Sequence, residues 1–585
     1  MFPAIAPTNC SFASPFFPTT SLPSTKKNLN HPSNLACKSK PSNEDEYTPK
    51  PNPNDEQTPE PRLDRRSFLL LGFGSSGIYN NAISNLRKLS PDFLNCVDAV
   101  KPFGDLINCC NPTPPGTKIT DFAPPAASAS AARVRTAAHS DDGAVNMAKY
   151  KKAVELMRKL PADDPRNFTR QANVHCAYCN GAYNQVGFPD RKFEIHQSWL
   201  FFPFHRWYIY FFERICAKLL GDDTFALPFW NWDSPSGMEI PALFNASDSS
   251  LYDPLRDQSH LPPVVVDLNY GGFLMGFSPE QQRSYNLNLM YKQMISNAAT
   301  PRLFMGQPFK SGDDITKMLG AGSVEIAPHN TMHVWAGDER ETFRENMGIF
   351  YSAARDPIFY AHHANVDRLW DIWVTKLRGK FFTDPDWLET SYVFYDEEKK
   401  AVRVKTKDCL DLSRLGYTYK EVENPWLDAK PHPRRLKGEN RLPYNAREVT
   451  QVFPKTLDGA LNVVVKCPRR WRRGKEKEEE EMVLVIEGIA YDSSQQVKFD
   501  VYVNEDDVEL CTLANTEMLG SFVSVPHGRH DSGMMTEARC SQRFGLSGVL
   551  LELGAEEDDL LLVTLVPRRG SITVGGVKIE FEMIN

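Results

Sequence analysis

Two kinds of hydrophobic patterning divide this chain. Between about residues 170 and 376 the apolar positions fall in long, aromatic-rich runs of the helical kind. The run FFPFHRWYIYFFERICAKLL predicts a buried helix entered at Pro203, where proline's missing N–H costs least. In PHNTMHVW, His329 and His333 stand four apart, so on a helix both side chains leave one face. A further apolar run ends HHANVDRLW and carries His362 and His363. After Trp373 the composition changes, and residues 381–430 alternate apolar and polar positions in a small module. A polar, Pro-containing and basic stretch over 431–447 reads as a linker. From 448 to 585 the short runs LNVVVK, MVLVIEGIAY, VKFDVYVNE, SFVSVPH, LLLVTLV and SITVGGVKIEFEM alternate between turns. They predict an antiparallel β-sandwich or barrel. The fold class expected is an α-helical core, over 91–380, followed by this C-terminal β-domain.

Composition narrows the picture. With 585 residues, two or three domains are the natural prior. A hydrophobic content of 41% with a mean hydropathy of −0.43 suits a soluble globular protein with no integral membrane span. The net charge of −7 gives no reason to expect a nucleic-acid partner. The run RRWRRGKEKEEEE (469–481) reads as a solvated loop. Residues 1–43 contain no Asp or Glu and are rich in Ser, Thr, Pro and Asn, the composition of a chloroplast transit segment. Arg65-Arg66-Ser67 before the short apolar run Phe68–Ile78 reads as a twin-arginine signal for the thylakoid lumen, so 1–90 is assigned to targeting. That run is too short to span a bilayer. The sequons at Asn167 and Asn245 are read as chance in a plastid protein.

The candidate chemistry is carried by histidine. His329, His333 and His363 form one three-imidazole set; His175 in VHCAYC, His196 in FEIHQSW and His205 in FFPFHRW form a second. No carboxylate stands in ligand spacing, which disfavours magnesium or calcium and favours copper, with zinc behind it. A zinc hydrolase of the HExxH kind is poorly supported because positions 330–332 read Asn-Thr-Met. Ligand imidazoles need a partner on the second ring nitrogen, and Asp367, one turn after His363, is a candidate for that role. Pairing of Asp367 with Arg368 or a neighbouring arginine is the structural alternative. The remaining histidines, His139, His260, His432, His527 and His530, read as fold-supporting or loop residues. Among the cysteines, adjacent Cys109 and Cys110 are unsuited to bond each other, which leaves two pairings open for Cys96, Cys109, Cys110 and Cys176.

Together the segments HCAYC, HRW, FWNWDSP, HNTMH and DPIFYAHHANVDR, then DWL at Asp386–Leu388 and KFDV at Lys498–Val501, resemble the plant polyphenol oxidases. These belong to the type-3 copper proteins, with tyrosinases, catechol oxidases and hemocyanins. The resemblance runs from about Cys96 to the end. It implies a four-helix bundle holding two copper ions on the six histidines, with His363 rather than His362 as ligand. It implies O2-dependent oxidation of ortho-diphenols to ortho-quinones, a thioether between Cys179 and His196, and the disulfides Cys96–Cys110 and Cys109–Cys176. It further implies that Glu325 holds a water near the metals, that Phe350 is an aromatic gate, and that Asn330 helps Glu325 prepare a base for monophenols. A helical turn from Glu325 to His329 would set that carboxylate over the metal pair. Val334, after His333, would leave an apolar wall. By the same resemblance Tyr417 and Tyr419 mark the end of the middle module, and the C-terminal domain covers the pocket until an activating protease, acid or detergent loosens it. The residue that fills the pocket is not legible, nor is the oligomeric state. An aurone- or betalain-forming oxidase is the closest alternative; an oxygen carrier is a more distant one.

Overall fold

The computed structural model describes residues 88–124, 132–315, 319–434, 447–468, 479–528 and 537–584. The targeting segments, His530, most of the linker and most of the 469–481 charge run lie outside the described residues. The helices of seven or more residues are α1 (Asp141–Lys159), α2 (Phe168–Cys179), α3 (Phe201–Leu220), α4 (Pro279–Tyr291), α5 (Asn330–Ala336), α6 (Ile358–Thr375) and α7 (Ser547–Leu553). Among the described residues no helix is long and apolar enough to cross a membrane.

Local chemistry fixes these helices. Ser140 caps α1 by accepting from the Gly143 N–H, with Asp141 and Asp142 in the first turn and Arg158 and Lys159 in the last, complementing the helix dipole. Asn167 caps α2: its Oδ1 accepts from Thr169 N at 2.9 Å while its Nδ2 donates to Leu160 O at 2.8 Å. Both ends of that sequon amide are therefore in use. Helix α3 is buried around its whole circumference from Phe201 to Glu213 and stops at Gly221, whose φ of 64° is the left-handed cap position. Pro203 sits in its first turn.

An N-terminal arm is fastened to α2 by disulfides Cys96–Cys110 and Cys109–Cys176. The middle module packs on α3 through an antiparallel hairpin, Ser391–Tyr395 with Ala401–Lys405. Trp387 donates to Trp199 O at 2.9 Å, and Trp207 of α3 donates to Lys405 O at 3.0 Å. Strand Tyr417–Tyr419 runs parallel to Arg133–Arg135 and closes the module onto the helical core.

The C-terminal domain consists of two five-stranded sheets. One carries, in spatial order, 447–448, Leu461–Lys466, Leu560–Arg569, Lys498–Val503 and Met518–Val523. The other is built on the long strand Glu480–Asp492, flanked by Glu537–Gly545 on one side and by Ile572–Val574 and Gly576–Met583 on the other, with Lys455–Thr456 paired to Ile572–Val574 at the edge. All pairings but that of 447–448 are antiparallel. The expected alternation of buried and exposed positions fails in several strands, Glu480–Asp492 and Leu560–Arg569 each being buried over six consecutive positions. Lys498–Val503 and Met518–Val523 are buried at every residue because their second face lies on the helical core rather than in water. One continuous cluster of buried apolar side chains runs through helices, middle module and β-domain.

Candidate metal centre

Four elements bring the histidines together. His175 is on α2, His205 on α3, His333 on α5 and His363 on α6. His196 comes from the loop before α3, and His329 directly precedes α5. The ligand atoms of His175, His196 and His205 lie within 4.8 Å of one another, as do those of His329, His333, His362 and His363. The two groups adjoin: the rings of His205 and His363 stack at 4.1 Å, and those of His196 and His329 lie 6.0 Å apart. All seven imidazoles are buried. Burial pushes their pKa values down, His175 to about 3 and His333 to about 4, so they are neutral, as metal ligands must be.

Hydrogen bonding at Nδ1 assigns the tautomers. A carbonyl oxygen can only accept, so a ring nitrogen facing one carries the proton. His175 Nδ1 meets Phe350 O at 2.9 Å, His205 Nδ1 meets Phe201 O at 2.8 Å and His333 Nδ1 meets Met347 O at 2.8 Å. His329 Nδ1 lies 3.0 Å from Asn330 Oδ1. Each of these rings therefore presents an unprotonated Nε2 to the centre. The Nε2 atoms of His329 and His333 face each other at 3.1 Å, two lone pairs that repel unless a cation lies beside them. The Nε2 atoms of His175, His196, His205 and His363 are buried without a hydrogen-bond partner. This donor set fits a soft, imidazole-loving metal such as copper.

His362 is the opposite case. Its Nδ1 accepts from Trp232 Nε1 at 3.0 Å, so the proton sits on Nε2 and no lone pair faces the centre. Trp232 belongs to the FWNWDSP segment, whose Asp233 accepts from Arg368 and Trp426.

The structure corrects several expectations drawn from the sequence. Asp367 bonds no ligand ring. It accepts from Arg206 Nε at 2.5 Å, Arg135 Nη1 at 3.2 Å and the hydroxyls of Tyr417 and Tyr419, each at 2.6 Å. Burial alone would raise this carboxyl, yet the two guanidiniums and two phenols hold it below its usual range. Its work is to clamp α6, α3, strand Arg133–Arg135 and the middle module together, and Arg368 is not its partner. Glu325 does not reach the site through a regular helical turn, because Ala327 is extended (φ −160°, ψ 130°) and breaks the turn before His329. Its carboxylate is nevertheless buried, with Oε1 accepting from Gln197 N at 2.6 Å and Oε2 without a protein partner; burial pushes its pKa well up. Asn330, expected to act with Glu325 on a water, is held by two protein partners. Its Oδ1 faces His329, and its Nδ2 donates to Val523 O of the β-domain at 3.0 Å. Cys179 is a buried free thiol with Glu194 and His196 ligand atoms within 4.8 Å. Val334 is fully buried.

Phe350 lies flat on His196, with centroids 4.0 Å apart and planes 9° apart. His527 of the β-domain also stacks on it at 5.5 Å, and its N–H faces Pro526 O at 3.4 Å. His527, read from the sequence as a loop residue, is thus a buried ring of the β-domain laid over Phe350. Nothing in the sequence pattern marked Gln197 or Trp232 either. His260 is a core residue, stacked on Trp335 at 4.6 Å.

Comparison with known proteins agrees with this geometry along the chain. Residues 165–376 match the common central domain of tyrosinase, 382–432 the polyphenol oxidase middle domain, and 453–581 the chloroplastic polyphenol oxidase C-terminal domain. The chain belongs to the plant polyphenol oxidase family. Among its relatives are aureusidin synthase of Antirrhinum majus, 51% identical over 84% of this chain and 88% of that one, and the chloroplastic polyphenol oxidase of Malus domestica, 48% identical over 89% of each. The solved structure of latent apple tyrosinase superposes with a TM-score of 0.74 at 49% identity, covering 79% of this chain and all of that one. Membership of this family, with its histidine-rich centre, makes copper the metal of the site.

Proposed function

We propose that two copper ions occupy the centre, one on His175, His196 and His205 and the other on His329, His333 and His363. The chain is a polyphenol oxidase that couples the four-electron reduction of O2 to water with the oxidation of two ortho-diphenols to ortho-quinones. The carrying observation is the pair of adjoining imidazole sets whose unprotonated nitrogens face inward. Bound copper would supply the redox chemistry. The protein supplies a dry site and an oriented substrate. Phe350, flat on His196, restricts entry to planar rings. Glu325, with one oxygen unpartnered, holds a water beside the site. Asn330 is the residue that would assist that water in taking a monophenol proton, once its amide is released from Val523. A thioether between Cys179 and His196 would fix that ring.

In the chain as it stands the site is covered. The β-domain reaches Asn330, Gln197 and Phe350 with Val523, Tyr491 and Pro526–His527. His527 over Phe350 is our assignment for the plug, and removal of the β-domain by a protease is our assignment for activation. Plastid targeting is supported by relatives named chloroplastic; delivery to the thylakoid lumen rests on the twin arginine. Similarity to aureusidin synthase supports a second reading, a pigment-forming oxidase on the same centre.

The test is copper content with oxygen uptake on 4-methylcatechol, before and after limited proteolysis. Two coppers per chain and uptake that rises on cleavage are expected. Bound copper without turnover after cleavage would favour an oxygen carrier, and one copper per chain would remove the paired site.

A further inference from the structure

Gln197, at the mouth of the site, takes no part in the oxidation described above. It follows His196 directly and is a buried non-glycine residue with φ of 56°, a left-handed conformation that costs an ordinary side chain about 1 kcal/mol. Its backbone is held at both ends: the N–H donates to Glu325 Oε1 at 2.6 Å, and the carbonyl accepts from Gly320 N at 2.7 Å. That turn aims the side chain away from Glu325 and toward the β-domain. There Nε2 donates to the hydroxyl of Tyr491 at 3.1 Å, while Oε1 is buried with no hydrogen-bond partner. A carboxamide only 7% exposed with half its bonding capacity unused is costly as a structural group.

The group that occupies it is informative. Tyr491 is a phenol, and it lies on strand Glu480–Asp492 of the domain that covers the site. Removing that domain takes away the phenol and leaves both ends of the amide facing the opened mouth, one residue from the ring on which Phe350 is stacked. We propose that Gln197 is a substrate-positioning residue: its carboxamide is filled by the Tyr491 hydroxyl in the covered chain, and in the opened enzyme it receives the hydrogen-bonding group of a ring substituent on an ortho-diphenol. An amide offers a donor and an acceptor without charge, so the favoured substituents are neutral hydroxyl or carbonyl groups rather than an alkyl chain. This inference rests on the phenol-oxidising reading above.

The experiment compares proteolytically activated wild type, Gln197→Gly and Gln197→Asn on 4-methylcatechol and on 4-(2-hydroxyethyl)catechol. Glycine adopts the left-handed conformation freely and so preserves the Glu325 contact. Asparagine tolerates it too and shortens the amide by one methylene. Should glycine fail to fold, the asparagine variant carries the test. The readout is the ratio of kcat/KM for the hydroxyethyl over the methyl substrate. One neutral hydrogen bond is equivalent to about a 5-fold change, so the ratio should fall about 3- to 10-fold in both variants, mainly through KM. An unchanged ratio, with both substrates slowed alike or not at all, overturns the proposal and leaves Gln197 a structural support. Absence of 4-methylcatechol turnover by activated wild type would instead overturn the functional reading on which it rests.

Discussion

Replacing Lys498 with methionine should switch on the intact chain without cutting it. Lys498 opens the KFDV segment, is 4% exposed, and donates through Nζ to Asn269 O across the boundary with the helical core. Asp500, two residues on, lies 4.0 Å from Nζ and accepts from Arg568 Nε at 2.6 Å. Ser521, paired with Asp500 across the sheet, donates its one hydroxyl proton to Asp500 Oδ1 at 2.5 Å and lies 3.1 Å from Asn269 Oδ1. Burial holds the Lys498 ammonium below its usual pKa, while Asp500 and Asp267 favour its charged form. Methionine fills a similar volume, avoids the desolvation of an ammonium, and leaves Asn269 O without its donor. A charge-assisted hydrogen bond is worth about 1.5–3 kcal/mol. A loss of about 2 kcal/mol lowers the ratio of closed to open chains about 30-fold. The assay is oxygen uptake on 4-methylcatechol by uncut protein, divided by uptake of the same preparation after complete proteolysis, with chain length checked by mass. That quotient should rise about 30-fold over wild type or reach one. A quotient equal to wild type would refute the argument that this contact holds the cover shut.

Other outcomes are equally specific. His363→Ala should bind one copper fewer than wild type, whereas His362→Gln should keep the wild-type number, by metal analysis of folded protein, because the proton on His362 Nε2 denies it a ligand role. Arg206→Met leaves Asp367 buried with one guanidinium fewer and should lower stability by about 3–5 kcal/mol, read as a lower Tm. Reducing the disulfides should also lower Tm, chiefly through Cys109–Cys176, whose separation of 67 residues corresponds to about 4 kcal/mol of chain entropy. Glu481 in the β-domain has its pKa raised to about 7, first by burial. Between about pH 4.5 and 7 the folded chain keeps this proton while the unfolded chain loses it, so stability falls as pH rises through that window. The loss reaches about 3 kcal/mol. Glu481→Gln should flatten that part of the Tm–pH curve, and a parallel curve would refute the assignment.

Much of the catalytic half was legible in the sequence because its signals are local. The aromatic run of α3 is buried on all sides, which is what a continuous apolar helix requires. The spacing of His329 and His333 needs only one helical turn. Elsewhere, spacing misled. Asp367 shares a helix face with His363, but Arg206 and Arg135, distant in sequence, offer its carboxylate far stronger partners than an imidazole would. Glu325 is four residues before His329 as a turn demands, yet Ala327 is extended between them. The cover over Phe350 left no local trace: His527 stands 177 positions after Phe350 and meets it only because the two domains pack. The same packing removed the alternation from strands Lys498–Val503 and Met518–Val523.

That packing also explains how a distant contact can govern the metal site. Lys498 and Val523 are opposite one another in an antiparallel pair, as are Asp500 and Ser521. Val523 O holds the Asn330 amide, and the chain continues from it through Val525 and Pro526 to His527 over Phe350. Ser521 beside Asn269 and His527 over Phe350 are therefore successive stretches of one strand and its extension, with the KFDV strand, whose Lys498 bonds Asn269 O, alongside as a brace. A strand bends poorly along its own axis, so displacement at Ser521 carries Val523 and His527 with it. Opening is then close to all-or-none, and a cleavage that releases this strand frees Asn330 and Phe350 together. An intermediate with Phe350 uncovered but Asn330 still bonded to Val523 should not accumulate. Time-resolved proteolysis that found monophenol and diphenol turnover appearing at different rates would contradict this coupling.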